Sequence, residues 1–508
     1  MIDFMKLQNG NEICGVAAEG VPGEEINLTE ETAGAIAGAF AYWLGFKVGK
    51  NPYDLRIAVG NDSRLSADTL KSGILKGIAM FGAEGYDAGL ASTPAMFMST
   101  VMPQLDFDGA VMITAGHLPW NRNGFRLFTK EGPLEEEDIA SILKTASRYN
   151  FVGEFYEERE TNVLQMYAAY MRQMISLGLK DVPGGLSGMH IVVDAGCGTG
   201  GFFAKQILEP MGADISGSRS LEPDGIFPGR EPDPESEIAM ASLCKAVADN
   251  NADLGILFDA DAGRAAFAGP GGRPVAGDKI IALAAALAAE DYPGGTVVTD
   301  SITSDELHDF LESRLGLKHL RYKKGYRNVI NKAAEINSAL DEDAKDKAFL
   351  AIETTGHAAY SDNFFLDDGA FLAVQIIINA ARLRSEGKDI TALIEGLRSP
   401  AESHELRVSL ESEDHRNLGS RILEDVEKWV KETSGLELVT PNYEGVRVSF
   451  RVPDENGGEA KGWFLLKDSL HDPVMELNIE SDTEGTCAKV IEKLYDFMGQ
   501  YEGVMLRS

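Results

Sequence analysis

Three short apolar runs set the rhythm of the chain: Arg56-Ile57-Ala58-Val59-Gly60, His190-Ile191-Val192-Val193-Asp194 and Thr296-Val297-Val298-Thr299-Asp300. Each is followed by small or polar turn residues and then by apolar positions at helical spacing, the pattern of a buried strand feeding a helix. Ser66-Ala67-Asp68-Thr69-Leu70 and Ser304-Asp305-Glu306-Leu307 put a hydroxyl where a helix N-terminus needs a cap. Repeated strand-to-helix starts predict α/β layers in three related domains. No sequence repeat ties the three together. From about Glu405 the pattern changes to strands (436–439, 446–450, 463–466) with flanking helices, which predicts a smaller α+β domain. Turn-rich stretches at Val182-Pro183-Gly184-Gly185, Tyr292-Pro293-Gly294-Gly295 and Arg398-Ser399-Pro400 read as linkers. The expected domains are residues 1–180, 181–292, 293–400 and 401–508.

The bulk numbers agree and narrow the chemistry. A chain of 508 residues is too long for one core and predicts roughly three or four domains. Apolar content of 44% and charged content of 25% are those of a soluble globular protein. A net charge of −33 argues against nucleic acid and anionic membranes as partners. It also means that any phosphate ligand needs locally clustered Lys and Arg. The longest apolar run, 280–289, is short of the ~20 residues that span a bilayer and reads as a buried helix. No basic segment followed by a long apolar run opens the chain, so no signal peptide is expected. The dispersed Cys14, Cys197, Cys244 and Cys487 show no metal spacing and fit a reducing, cytoplasmic setting.

Several loops carry chemistry. Thr114-Ala115-Gly116-His117-Leu118-Pro119 is followed by Asn123-Gly124 and Arg126. Asp259-Ala260-Asp261-Ala262-Gly263-Arg264 ends the apolar run 254–258. Tyr322-Lys323-Lys324-Gly325-Tyr326-Arg327 is basic, Glu353-Thr354-Thr355-Gly356-His357 precedes Asp367-Asp368-Gly369, and Lys467-Asp468-Ser469-Leu470-His471-Asp472-Pro473 lies near the C-terminus. Glu12-Ile13-Cys14-Gly15, Gly60-Asn61-Asp62-Ser63-Arg64 and the turn 223–235, rich in Pro and Asp, complete the set. Singly, each also reads as a glycine turn, an acidic strand end or a solvated loop.

Taken in order over nearly the whole chain, these loops resemble those of the α-D-phosphohexomutases, the family of phosphoglucomutase and phosphomannomutase. The variants His-Leu-Pro and Leu-His-Asp-Pro resemble its plant-like branch. The resemblance implies four domains around a central cleft, hexose phosphates as ligands, and transfer of phosphate between two sugar hydroxyls. It places the phosphate-carrying nucleophile at position 116, where the family's serine is replaced by Gly116. It makes Asp259 and Asp261 Mg²⁺ ligands and puts Gly263 in the place of a third aspartate, so that with the serine two of four protein ligands are gone and Mg²⁺ binding is expected to be weak or absent. It makes His117 and Lys323 catalytic, with Lys323 as general acid/base. It assigns the sugar hydroxyls to Glu353, Thr355 and His357, and phosphate or substrate contacts to Arg64, Asn123, Arg126, Arg264, Arg327, Lys467, Ser469 and His471. Lys467 keeps the charge of an arginine but not its bidentate fork. Cys14 stands where the family has a phosphate-contacting arginine. Activity would need a glucose 1,6-bisphosphate-type primer.

Two functional readings follow. In one, the chain is a working mutase that carries phosphate without the serine, with His117 or Thr114 as a conceivable acceptor. In the other, it binds sugar phosphate with turnover lost or strongly impaired. Loss of a nucleophile and of a metal ligand would each remove several kcal/mol of barrier lowering, and roughly 4 kcal/mol is about a thousandfold in rate. The pair Gly116→Ser with Gly263→Asp is expected to recover trace activity if the rest of the site is sound. A third signal competes: Asp194-Ala195-Gly196-Cys197-Gly198-Thr199-Gly200-Gly201 resembles an S-adenosylmethionine or dinucleotide loop. In its context a tight strand-to-helix turn is the expectation.

Overall fold

The structure is a computed structural model describing residues 2–148, 153–341, 343–412, 414–453, 458–469 and 472–505. His471 of the C-terminal loop lies outside the described residues. The chain divides into two compact units, one of Met1–Ala276 with Thr355–Ala392, the other of Gly277–Thr354 with Leu393–Ser508. Each unit is thus built from two separate chain segments.

The first unit contains two mixed sheets. In the first sheet Arg56–Asn61 is central, parallel to Glu84–Leu90 on one side and to Gly109–Ile113 on the other. Arg122–Thr129 then runs antiparallel to Gly109–Ile113, and Glu12–Val16 antiparallel to Arg122–Thr129. The central strands are buried on both faces, which is why they read as continuous apolar runs. Helices Glu30–Val48, Ala67–Phe81 and Glu136–Ala146 supply the covering core, including Phe40, Leu44, Ile74 and Ile142. The second sheet orders Arg273–Val275, Ala265–Gly269, Leu254–Phe258 and Ile191–Asp194, with only the last pair parallel. The strand pair Ala358–Tyr360 and Leu366–Asp367 and the buried helix Gly369–Ser385 complete this unit.

In the second unit Thr296–Thr299 is flanked in parallel by Lys318–Arg321 and Ala348–Ile352. The run 280–289 is a helix, Asp278–Ala288, with Ile280 to Ala285 buried. The C-terminal segment forms an antiparallel sheet that orders Leu436–Leu438, Val446–Pro453, Glu459–Asp468, Val474–Ser481, Glu402–Leu410 and Val504–Met505. Helices His415–Glu432 and Thr486–Met498 pack on it through Ile422, Val426, Val490 and Leu494. The predicted three α/β domains and sheet-rich fourth are therefore present. No helix of the described residues is long and apolar enough to cross a membrane.

The three strand starts share a device that composition does not reveal. Asp62, Asp194 and Asp300 sit just at or beyond the ends of their strands, and each accepts the backbone N–H two residues on. The donors are Arg64 at 2.9 Å, Gly196 at 3.1 Å and Ile302 at 3.2 Å. Such Asx turns bend the chain sharply from strand into loop. Capping is less uniform. Ser304 Oγ, on extended backbone, accepts from Leu307 N as expected, whereas Ser66 is already in the right-handed helical region (φ −80°, ψ −3°), makes no cap bond, and accepts from Asn123 Nδ2 at 2.9 Å.

Candidate functional site

The loop that begins at Thr114 follows the buried strand Gly109–Ile113, and Arg64 holds it from beneath. Arg64 Nε donates to Asp62 Oδ2, Nη1 to the carbonyls of Pro119 and Arg122, and Nη2 to those of Gly116 and Leu118. The side chain is fully buried. All five donors of the guanidinium are engaged. Arg64 therefore positions the loop and has no N–H left for a phosphate. Thr114 is committed as well: Oγ1 donates to Asp62 Oδ2 at 2.7 Å and accepts from Gly116 N at 3.0 Å. Asn123 uses its amide on Ser66 Oγ and its carbonyl on Gly124 N.

Gly116 has a φ of +55°, the left-handed region that side chains avoid. A Cβ built there lies 3.2 Å from Arg126 Nη2. Arg126, on the strand Arg122–Thr129, reaches across to Asp261, with Nη1 2.8 Å from Oδ2, while Nε lies 2.8 Å from Glu12 Oε1. His117 is exposed. Loss of hydration around its ring and then the charge of Arg264 lower its pKa, so the imidazole is neutral at pH 7.

The loop at 259–264 lies between the antiparallel strands Leu254–Phe258 and Ala265–Gly269. Asp259 is buried and accepts from Arg264 N at 3.1 Å and Nε at 3.3 Å. Burial first, and then the charge of Asp261, raise its pKa to about 7. Asp261 is lowered in spite of burial, by the charge of Arg126 and the hydroxyl of Thr93. Thr93 Oγ1 and Arg126 share Asp261 Oδ2, and Oδ1 is buried without a hydrogen-bond partner. Arg264, 2% exposed, also pairs with Asp233 at 3.1 Å and Glu235 at 3.2 Å. It thereby ties the Pro-rich turn to the acidic loop, as Arg64 ties the loop that begins at Thr114. Across this region three guanidiniums (Arg64, Arg126, Arg264) face six carboxylates (Asp62, Glu12, Asp261, Asp259, Asp233, Glu235). The arginines are already neutralised by the fold.

The loop 353–357 spans the boundary between the two units. In the second unit Glu353 is buried and accepts from Gly325 N at 2.6 Å, while Thr354 N and Oγ1 both donate to Asp300 Oδ2. In the first unit Thr355 is partly exposed, and His357 Nδ1 lies 2.5 Å from Asp367 Oδ2. The charge of His357 is among the influences on His117, so these two imidazoles share one environment. Lys323 is exposed and Arg327 half-buried, on either side of the glycine that Glu353 holds. Lys467 is 8% exposed, 3.1 Å from Glu476 and 3.8 Å from Glu444. Ser469 Oγ accepts from Asp472 N at 3.4 Å.

The glycine-rich turn after Asp194 is filled by protein. A Cβ at Gly198 would lie 2.4 Å from Ala260 O, and one at Gly201 2.0 Å from Leu221 O. Asp194 accepts Arg230 Nη2 at 2.6 Å. These glycines allow backbone to meet backbone, the expected tight turn.

Three family models match in succession: Phosphoglucomutase/phosphomannomutase, alpha/beta/alpha domain I at residues 16–152, domain II at 167–272 and domain III at 276–399. The chain belongs to the phosphoglucomutase/phosphomannomutase family. A Phosphomannomutase/phosphoglucomutase of Pseudomonas aeruginosa is 26% identical over 469 residues, 92% of this chain and 90% of that protein. A Phosphoglucomutase/phosphomannomutase of Thermococcus kodakarensis is 27% identical over 484 residues, covering 93% and 95%. In fold, the chain is similar to a crystal structure of a phosphoglucomutase/phosphomannomutase family protein from Burkholderia thailandensis. That match has a TM-score of 0.76 with 21% identity and covers 100% of both chains.

Phosphohexomutases generally depend on Mg²⁺, so the residues of this chain need testing against that ion. Mg²⁺ takes near-octahedral oxygen ligands at about 2.0–2.1 Å. Of the four carboxylate oxygens at Asp259 and Asp261, three already accept protein donors, and only Asp261 Oδ1 has none. Position 263 offers no side-chain oxygen, its backbone carbonyl accepts from Gly369 N, and a cation, Arg126, stands at the loop. The donor set does not fit the ion. Sequence reasoning gave no role to Thr93, Glu12 or Asp233. Glu12 and Asp233 lie within loops already named but their partners, Arg126 and Arg264, belong to different loops, and no local pattern marks Thr93, whose partner Asp261 is 168 residues away.

Proposed function

We propose that this phosphohexomutase-family protein binds hexose phosphates and that phosphoserine-based turnover is lost or strongly impaired. The observation that carries this reading is position 116. It has no hydroxyl, its backbone is left-handed, and the space where a side chain would begin is bordered by Arg126 Nη2 at 3.2 Å. The loop around it keeps an ordered framework through Arg64, Asp62 and Thr114, so the scaffold persists where the nucleophile does not. Sugar hydroxyls fall to Glu353, Thr355 and His357 by family resemblance. Lys323 holds the general acid/base position, and Arg327 is the cation we assign to phosphate, together with Ser469 and His471. Lys467 is a weaker candidate because Glu476 and Glu444 already hold it. The four cysteines are free, in keeping with a reducing, cytoplasmic setting.

A coupled assay with glucose 1-phosphate, Mg²⁺ and a glucose 1,6-bisphosphate primer tests the reading, alongside thermal stabilisation by glucose 6-phosphate and mannose 6-phosphate. Stabilisation without isomerisation is the expected result. One observation favours a second reading, a mutase with a different acceptor: His117 is exposed and its imidazole is neutral at pH 7. That reading predicts turnover together with an acid-labile phosphohistidine at His117.

A further inference from the structure

We infer that the guanidinium of Arg126 occupies the cation position of the Asp259–Gly263 loop, so that this site is built around an internal cation and takes no Mg²⁺. Two ion pairs hold the group, and its third corner faces position 116. Nη1 lies 2.8 Å from Asp261 Oδ2, Nε lies 2.8 Å from Glu12 Oε1, and Nη2 lies 3.2 Å from where a Cβ at position 116 would stand. Nη1 is also 3.6 Å from where a Cβ at position 263 would stand. The guanidinium therefore lies between the two glycines, close against position 116 and in ordinary contact distance of position 263. A planar fork with five donors suits this geometry, because separate edges can meet separate carboxylates. A divalent ion drawn to Asp261 Oδ1 would meet a resident positive charge on the same carboxylate. It would have one carboxylate oxygen free of a protein donor, and the other carboxylate oxygens of the loop are already shared with Arg126 and Arg264. Thr93 adds a second donor to Asp261 Oδ2 and reinforces the metal-free arrangement. The inference rests on the geometry of this loop alone and holds whether or not hexose phosphate binds.

The full chain titrated with Mn²⁺, a hard dication visible by electron paramagnetic resonance, tests it. Wild type is expected to leave the free-ion signal undiminished and to melt at the same temperature in Mg²⁺ and in EDTA. Gly263→Asp restores a carboxylate beside Arg126, and the added group pairs with Nη1. It therefore gains no Mn²⁺ either. Arg126→Met combined with Gly263→Asp removes the competitor and is expected to bind one Mn²⁺ at least about tenfold more tightly than Gly263→Asp alone. Stoichiometric Mn²⁺ binding by wild type, lost in Asp261→Asn and displaced by Mg²⁺, would overturn the inference. So would Gly263→Asp binding the ion as tightly as the double variant. If circular dichroism shows the double variant unfolded, the wild-type and Gly263→Asp titrations decide the matter by themselves.

Discussion

Replacing Arg64 separates a residue that holds the loop from one that holds a ligand. Arg64→Met removes five donors from a fully buried position and leaves the carbonyls of Gly116, Leu118, Pro119 and Arg122 without them. It also leaves Asp62 a buried carboxylate without its cation. Breaking a buried ion pair by removing one partner is worth about 3–5 kcal/mol, and each orphaned buried carbonyl adds to that until water enters. We take about 4 kcal/mol, which is close to 10³-fold in a local opening equilibrium. Hydrogen exchange by mass spectrometry reads it directly. The amides of Gly116, Leu118 and Arg122, bonded within the loop, are expected to exchange about a thousandfold faster. Arg64→Lys keeps the charge beside Asp62 but brings only three donors on one atom, so it is expected to recover less than half of the loss. If Arg64→Met leaves exchange in residues 114–122 unchanged and abolishes stabilisation by glucose 6-phosphate, the staple is refuted and Arg64 is a ligand contact.

Other substitutions give sharp outcomes. Gly116→Ser forces a side chain into the left-handed region against Arg126, and a loss of about 1–2 kcal/mol in urea denaturation is expected. Paired with Gly263→Asp, which the loop resemblance alone would expect to recover trace activity, it is expected to yield no turnover and no phosphoserine by mass spectrometry, because the rest of the site is not sound: Arg126 still holds the cation position. Burial raises the pKa of Asp278 to about 6, opposed by hydrogen bonds from Ser304. A raised folded-state pKa means that the folded chain holds a proton the unfolded chain releases. Stability from this group is therefore full below the ordinary aspartate range and lost as pH rises through about 6. Asp278→Asn should match wild type near pH 4 and exceed it at pH 8 by on the order of 2–3 kcal/mol, read from urea midpoints across pH. Lys467→Met leaves Glu476 and Glu444 facing each other without their cation, and a loss of about 1–3 kcal/mol is expected, partly recovered by adding Glu476→Gln. No loss in that single variant, with hexose phosphate binding gone, would reassign Lys467 to the ligand.

The family and the order of its domains were legible in the chain because their signals are local. An apolar run buried on both faces, ended by Asp and a turn, reads the same way in sequence as in space, and Arg56–Asn61, Ile191–Asp194 and Thr296–Thr299 all lie where the pattern placed strands. The glycine-rich turn at 194–201 was legible only in outline, since what fills it, Ala260 and Leu221, comes from other segments. Gly116 and Gly263 announce missing side chains directly.

What the letters could not disclose is where each charge goes. Arg64, Arg126, Arg264 and Lys467 read as free cations awaiting a phosphate. Tertiary contacts give the first to four backbone carbonyls and Asp62, the second to Asp261 and Glu12, the third to Asp259, Asp233 and Glu235, and the last to Glu476 and Glu444. Burying a charge requires a partner within a few ångströms, and in a folded chain that partner is set by topology rather than by neighbourhood in sequence. The sequence by itself determined the fold and the absence of a hydroxyl at position 116. The tertiary structure decided that the surrounding arginines serve the protein first, because low-dielectric surroundings make their pairing with buried carboxylates compulsory.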